Sequence, residues 1–228
     1  MEYLWQGLKT AFRLITHLDS EVVTITCISL KISITAVLCA SLVGVCLGFI
    51  VGIFKFKGRS LIITFLNTLM AIPTVVVGLF AYSIISRQGP LGTFGLLFTP
   101  LAMGIGQFIL AIPIIMTLTI SATQSVDPRV QSTAVVLGAN SFQSAIMVLK
   151  EARFAFMAAI IAGFGRVIGE VGSSMILGGN IKGYTRNIPT AIALETSKGE
   201  FGLAIALGII LLAVALTINF LLRFFQAK

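Results

Sequence analysis

Arg166 and Glu170 stand four residues apart inside a stretch that is otherwise apolar and rich in glycine. That spacing puts a guanidinium and a carboxylate on one helical face, within reach of each other. Either charge alone is expensive in hydrocarbon, so the two must pair or face a polar cavity. Three readings stay open: an ion pair that fixes a helix bundle, a path or gate in which Arg166 faces an anion, and a contact between subunits. The other reactive side chains are less organised. Cys27, Cys39 and Cys46 are spread along one apolar segment and read as small packing residues, with neither a disulfide nor a metal suggested. His17 has no Cys/His cluster around it and reads as an interfacial residue, not a metal ligand. The sequence has no GxxxxGK[ST] loop and therefore no expected nucleotide site.

The elements that carry these residues are set by hydropathy. The chain is 57% hydrophobic and only 11% charged, with a mean hydropathy of +1.04, whereas a soluble domain carries about 25% charged residues. Residues 60–86, 88–126 and 201–222 hold no Asp, Glu, Lys or Arg. Each run reaches the ~20 residues needed to cross a hydrocarbon layer ~30 Å thick. An all-α polytopic membrane protein follows. The net charge of +8 resides on residues that flank apolar runs, which points to topology and not to a nucleic-acid partner.

Residues 1–20 form a separate unit. Leu4, Trp5, Leu8, Ala11, Phe12 and Ile15 recur at helical spacing, with Glu2, Lys9, Arg13 and Asp19 on other faces, so an amphipathic leader helix in the membrane interface is expected. It lacks the apolar run and small-residue cleavage site of a signal peptide. Residues 21–228 read as a membrane domain of five transmembrane helices, at about 22–54, 61–85, 100–122, from after Arg153 to 176, and 201–222. Gly44, Gly48 and Gly52 mark a close helix contact. Pro73 implies a bend in the second span, and Pro113 interrupts the third. Residues 178–200 read as a loop. Lys55, Lys57, Arg59, Arg129, Lys150, Arg153, Arg223 and Lys228 fall on one side, against Lys9, Arg13, Arg87, Lys182, Arg186 and Lys198 on the other. The compact basic turn at 55–59 makes the first side cytoplasmic, giving an extracytoplasmic N-terminus and a cytoplasmic C-terminus.

The 125–150 region is too polar to span and keeps helical periodicity. Residues 133–136 read as a short helix, Gly138 as a turn, and Phe142, Ala145 and Ile146 as a second short segment. An apolar-sided helix on the cytoplasmic side suits docking of another protein, which a plain channel does not need.

This region resembles the coupling loop of binding-protein-dependent ABC importer permeases, whose pattern is Glu-Ala-Ala, three residues, Gly, nine residues, Ile, one residue, Leu-Pro. Here Ser132, Thr133 and Ala134 take the first positions, Gly138 the glycine, Val148 the isoleucine, and Lys150 and Glu151 the last two. The following stretch is similar to the tungstate-type branch of those importers, through a GRxxxEVG element at 165–172 and a GGNIxxxTR element at 178–186. The resemblance covers essentially the whole chain. It implies a type I ABC importer permease fold and a non-catalytic subunit in the plasma (inner) membrane of a prokaryote. Its partners would be a second copy of the permease, two cytoplasmic ATPase subunits, an extracytoplasmic oxyanion-binding protein and membrane lipid. No cofactor is expected on this chain, since ATP and Mg2+ would belong to the ATPase. The implied activity is import of tungstate or a related tetrahedral oxyanion by alternating access. Molybdate, phosphate or sulfate are alternative cargoes, and an ATP-independent channel or secondary transporter is the rival class. The resemblance assigns coupling to Ala134, Gly138, Ala139 and Phe142, with Glu151 and Arg153 anchoring the loop to the fourth span. It assigns the path or gate to Arg166, Glu170, Asn180, Thr185 and Arg186.

Overall fold

The structure is a computed structural model that describes residues 2–226, with side chains described for residue 5 and residues 7–220. The side chains of Glu2, Leu4 and Arg223, and all of Lys228, which enter the amphipathicity and charge readings, lie outside that set. Eleven α-helices follow in chain order among the described residues: α1 (Glu2–Thr16), α2 (Ser20–Ile53), α3 (Arg59–Ala71), α4 (Thr74–Ile85), α5 (Pro100–Gln124), α6 (Pro128–Val136), α7 (Ser141–Glu151), α8 (Arg153–Ile168), α9 (Gly172–Gly178), α10 (Ile188–Lys198) and α11 (Phe201–Gln226). Length and composition qualify α2, α5 and α11 as membrane-crossing helices, or up to five spans if the bent pairs α3–α4 and α8–α9 each count as one.

The centre of the bundle is the contact of α2 with α5, and its cause is the glycine series. A Cβ on Gly44 would lie 3.1 Å from Ile115, on Gly48 2.8 Å from the carbonyl oxygen of Met116, and on Gly52 2.6 Å from Thr123. The partners advance with the glycines, so the two helices run parallel. Val37, Ala40, Ala111, Ile115, Phe164 and Val167 form the core between α2, α5 and α8. Both ends of α2 are closed by polar groups. Asp19 accepts the Glu21 N–H at 2.9 Å, and Arg59 donates from Nε and Nη2 to the carbonyls of Val51 and Gly52 at 2.8 and 2.6 Å.

Four expectations need correction. The second span is not one bent helix: α3 and α4 meet at 99° across Ile72 and Pro73. Proline supplies no N–H to continue α3, and it drives Ile72 to extended backbone at φ −66°, ψ 132°. Pro113, by contrast, lies buried inside a continuous α5, where neighbouring helices can shield the carbonyl it frees. The 178–200 segment is not all loop. Pro189 in its first turn and an Asn187–Thr190 capping box start α10, and Gly199 at φ +83° ends it. The three thiols are not packing residues, since Cys27, Cys39 and Cys46 all lie on the exposed face of α2.

α1 crosses the first turn of α11. A Cβ on Gly202 would meet Thr10 at 2.8 Å, and one on Gly7 would meet Ile205 at 3.1 Å. Ala11 is fully buried in that contact, while Trp5, Leu8 and Phe12 face outward.

Candidate functional site

The fourth span is broken where the charged pair sits. α8 ends at Ile168, α9 begins at Gly172, and the two are bent by 63°. Arg166 therefore lies in the last turn of α8, and Glu170 lies in the break and not inside a continuous helix. Arg166 Nη1 donates to Glu170 Oε2 at 3.1 Å. The side chains differ sharply in exposure, 42% for Arg166 and 4% for Glu170. The second carboxylate oxygen, Oε1, accepts the Ser173 N–H at 3.2 Å. The break is held against the other broken span: a Cβ on Gly172 would meet Val75 at 2.9 Å, Thr74 Oγ1 at 3.2 Å and Glu170 Oε1 at 3.4 Å. One turn on, Gly78 of α4 abuts the Cα of Ser173 at a built distance of 3.0 Å. The two breaks thus share one locus, with hydroxyls, a carboxylate and an open guanidinium around it.

Asn180, Thr185 and Arg186 form a second set in the segment after α9. Asn180 takes the left-handed region at φ +52°. Thr185 is fully buried; its hydroxyl donates to the Gly178 carbonyl and accepts the Ile181 N–H at 2.9 Å. Arg186, 12% exposed at its side chain, lies between Glu21 at 3.5 Å and Glu195 at 3.9 Å. Lys182 reaches Glu21 at 2.8 Å and Lys198 reaches Glu195 at 3.0 Å. This network ties the start of α2 to α10, and Ser29 adds to it by accepting the Ile188 N–H at 2.6 Å. No hydrogen bond or ion pair joins this set to Arg166 and Glu170 among the described residues. Glu21 escaped sequence reading because it is 165 positions from Arg186, and Glu195 because it falls in the segment read as a loop, which holds α10. Thr74 and Ser173 had a local signal: one follows the helix-breaking Pro73, and the other lies three residues after Glu170.

The remaining candidates lie in the α6–α7 hairpin and at the start of α8. Asp127 caps α6 through the Arg129 N–H at 2.9 Å. Its carboxyl is held below the ordinary carboxylate range, first by the Arg129 side chain and then by that backbone N–H. Gly138 turns the chain at φ +88°. An Asn140–Gln143 capping box, with bonds of 2.9 and 2.8 Å, starts α7. Ala134 is buried, whereas Val136, Leu137 and Phe142 are 85%, 79% and 74% exposed. Ala139 lies beside Ala134 in a groove of about 510 Å³ between the two helices. Arg153 bonds back to the Lys150 carbonyl at 3.0 Å, and Glu151 is exposed. Among the described residues, no group of three or more His, Cys, Asp or Glu side chains could hold a metal ion.

Residues 44–228 match the family described as the binding-protein-dependent transport system inner membrane component. The chain belongs to that family. It is 43% identical to a probable anion ABC transporter permease protein of Haloferax volcanii, over 86% of this chain and 87% of that one. It is 39% identical to the tungstate uptake system permease protein TupB of Peptoclostridium acidaminophilum, over 96% of each. The inner membrane component also shares its fold with a chain of a bacterial ABC transporter involved in the import of the acidic polysaccharide alginate. That match has a TM-score of 0.74 and 18% identity, and covers 98% of this chain and 89% of the other.

Proposed function

We propose that this ABC permease carries tungstate, or a related tetrahedral oxyanion, across the prokaryotic inner membrane by alternating access. Two copies form the path, two cytoplasmic ATPase subunits bind and hydrolyse ATP with Mg2+, and an extracytoplasmic binding protein delivers the anion. The permease itself is non-catalytic. The observation that carries this reading is the open guanidinium of Arg166 at the break of a membrane helix. A cation so exposed at mid-span cannot face lipid cheaply and calls for a water-filled path. Its kinship to an uptake permease for tungstate gives the anion its class.

Five spans follow if each bent pair crosses once. The parallel run of α2 and α5 supports this, because parallel neighbours need a full crossing between them. The N-terminus is then extracytoplasmic, the C-terminus and the 125–150 loop are cytoplasmic, and α1 is an interfacial leader with Trp5 and Phe12 toward lipid. The exposed apolar tip around Gly138 and Phe142 is the seat on the ATPase, with Ala134 and Ala139 inside the hairpin and Arg153 closing its base.

The test is ATP hydrolysis and uptake in proteoliposomes holding this chain, its ATPase and its binding protein, with tungstate, molybdate, sulfate and phosphate compared. Stimulation by tungstate-loaded binding protein supports the reading. Stimulation by another of the four reassigns the cargo. Ion flux from this chain alone, with no ATPase association, overturns it.

A further inference from the structure

A guanidinium carries five N–H donors, and Arg166 spends one of them, on Glu170. Glu170 is its only partner among the described residues. Glu170 has a second attachment, the Ser173 N–H, and is nearly sealed from solvent where Arg166 is open. The pair is therefore asymmetric: the carboxylate is moored to the protein, and the guanidinium is moored only to the carboxylate. Two hydroxyls belong to residues of the two breaks. The Ser173 hydroxyl, on the side of Gly106 of α5, is buried with no partner among the described residues. The Thr74 hydroxyl and Glu170 Oε1 flank the missing side chain of Gly172, 3.2 and 3.4 Å from where its Cβ would lie.

A carboxylate and a tetrahedral oxyanion offer a guanidinium the same thing, two oxygens spaced to accept parallel N–H bonds. We infer that Glu170 is a resident stand-in for the cargo: it occupies Arg166 when the path is empty and yields it to the dianion in transit, staying moored by the Ser173 N–H. The exchange solves two problems. Arg166 is never left unpaired in the membrane, which would cost far more than a paired charge. The dianion is held only by the margin over the carboxylate it displaced, with the nearby negative charge of Glu170 hastening its exit, and conduction needs binding weak enough to let go. This inference rests on the oxyanion reading above and adds the residue that sets residence time.

The test uses the assembled permease–ATPase complex without binding protein, with tungstate and sulfate as probes in equilibrium dialysis. Glu170→Gln keeps an acceptor for the Ser173 N–H and removes the competing charge. It is expected to hold tungstate about tenfold more tightly than the wild type, or better, and to slow uptake once binding protein is restored. The Arg166→Gln/Glu170→Gln double variant loses that gain. Glu170→Asp keeps the charge but shortens its reach, and it shows a smaller gain in the same direction, which serves as the test if Glu170→Gln fails to assemble. Wild-type affinity in the Glu170 variants, in a complex whose wild type transports tungstate, overturns the exchange and leaves the importer reading standing. Failure of the wild-type complex to transport any of the four oxyanions overturns the importer reading itself.

Discussion

Thr185 has both hydrogen-bonding capacities of its hydroxyl in use, toward Gly178 and Ile181, in a fully buried setting. Replacing it by valine keeps the shape and strands the Ile181 N–H. Thr185→Val is therefore expected to lower stability by about 1–3 kcal/mol, and Thr185→Ser much less, as read by thermal unfolding of the purified permease. Asn180 offers the opposite case. Its left-handed backbone is one that glycine adopts without cost, so Asn180→Gly should leave the melting temperature unchanged. If Asn180 instead lines the path, the same variant lowers uptake with no thermal shift. At this scale the sequence was partly legible. Arg166 and Glu170 could be paired from their four-residue spacing, and the pair forms although Glu170 lies past the end of α8. Arg186 could not, since its partners Glu21 and Glu195 come from other elements.

Among the helices, the α2–α5 seam decides where side chains are allowed. A Cβ on Gly48 falls on the Met116 carbonyl, whereas one on Gly104 meets nothing within 4 Å among the described residues. Gly48→Ala should cost about 1–3 kcal/mol through forced separation, and Gly104→Ala should be neutral or gain up to ~1 kcal/mol in helix propensity; unfolding in detergent distinguishes them. The start of α6 gives a pH dependence. The folded Asp127 carboxyl titrates below its unfolded value. Its support for α6 is therefore complete above an unfolded pKa of ~3.9 and disappears as pH falls through the lower folded value. Hydrogen exchange in α6 should rise only in that acidic window. Sequence periodicity gave the long helices well, because an apolar run of membrane length admits few alternatives. It missed the sharpness of the α3–α4 break and the existence of α10, since proline announces an interruption without its angle, and a polar helix held by caps looks like a loop.

Over the whole molecule, the α6–α7 hairpin lies in the chain between α5 and α8, and α8 carries Arg166 in its last turn; under the proposed function, a push on the hairpin tip would reach that helix. Gly138 sits in open space with a positive φ. Gly138→Val meets no clash but strains the turn by about 1–2 kcal/mol. The expected result is loss of anion-stimulated ATP hydrolysis with the melting temperature of the membrane bundle kept. Phe142→Ala should weaken co-purification of the ATPase with the same spared bundle, as a truncated apolar anchor does.

The outward thiols of α2 have a use of their own. Cys27, Cys39 and Cys46 share the exposed side of one long helix, and at ~1.5 Å per residue the outer two are ~28 Å apart along its axis. That span nearly equals the ~30 Å hydrocarbon thickness. The chain thus carries its own depth gauge: spin labels on the native cysteines would report the tilt and immersion of the central helix from oxygen and nickel accessibility, with no residue introduced.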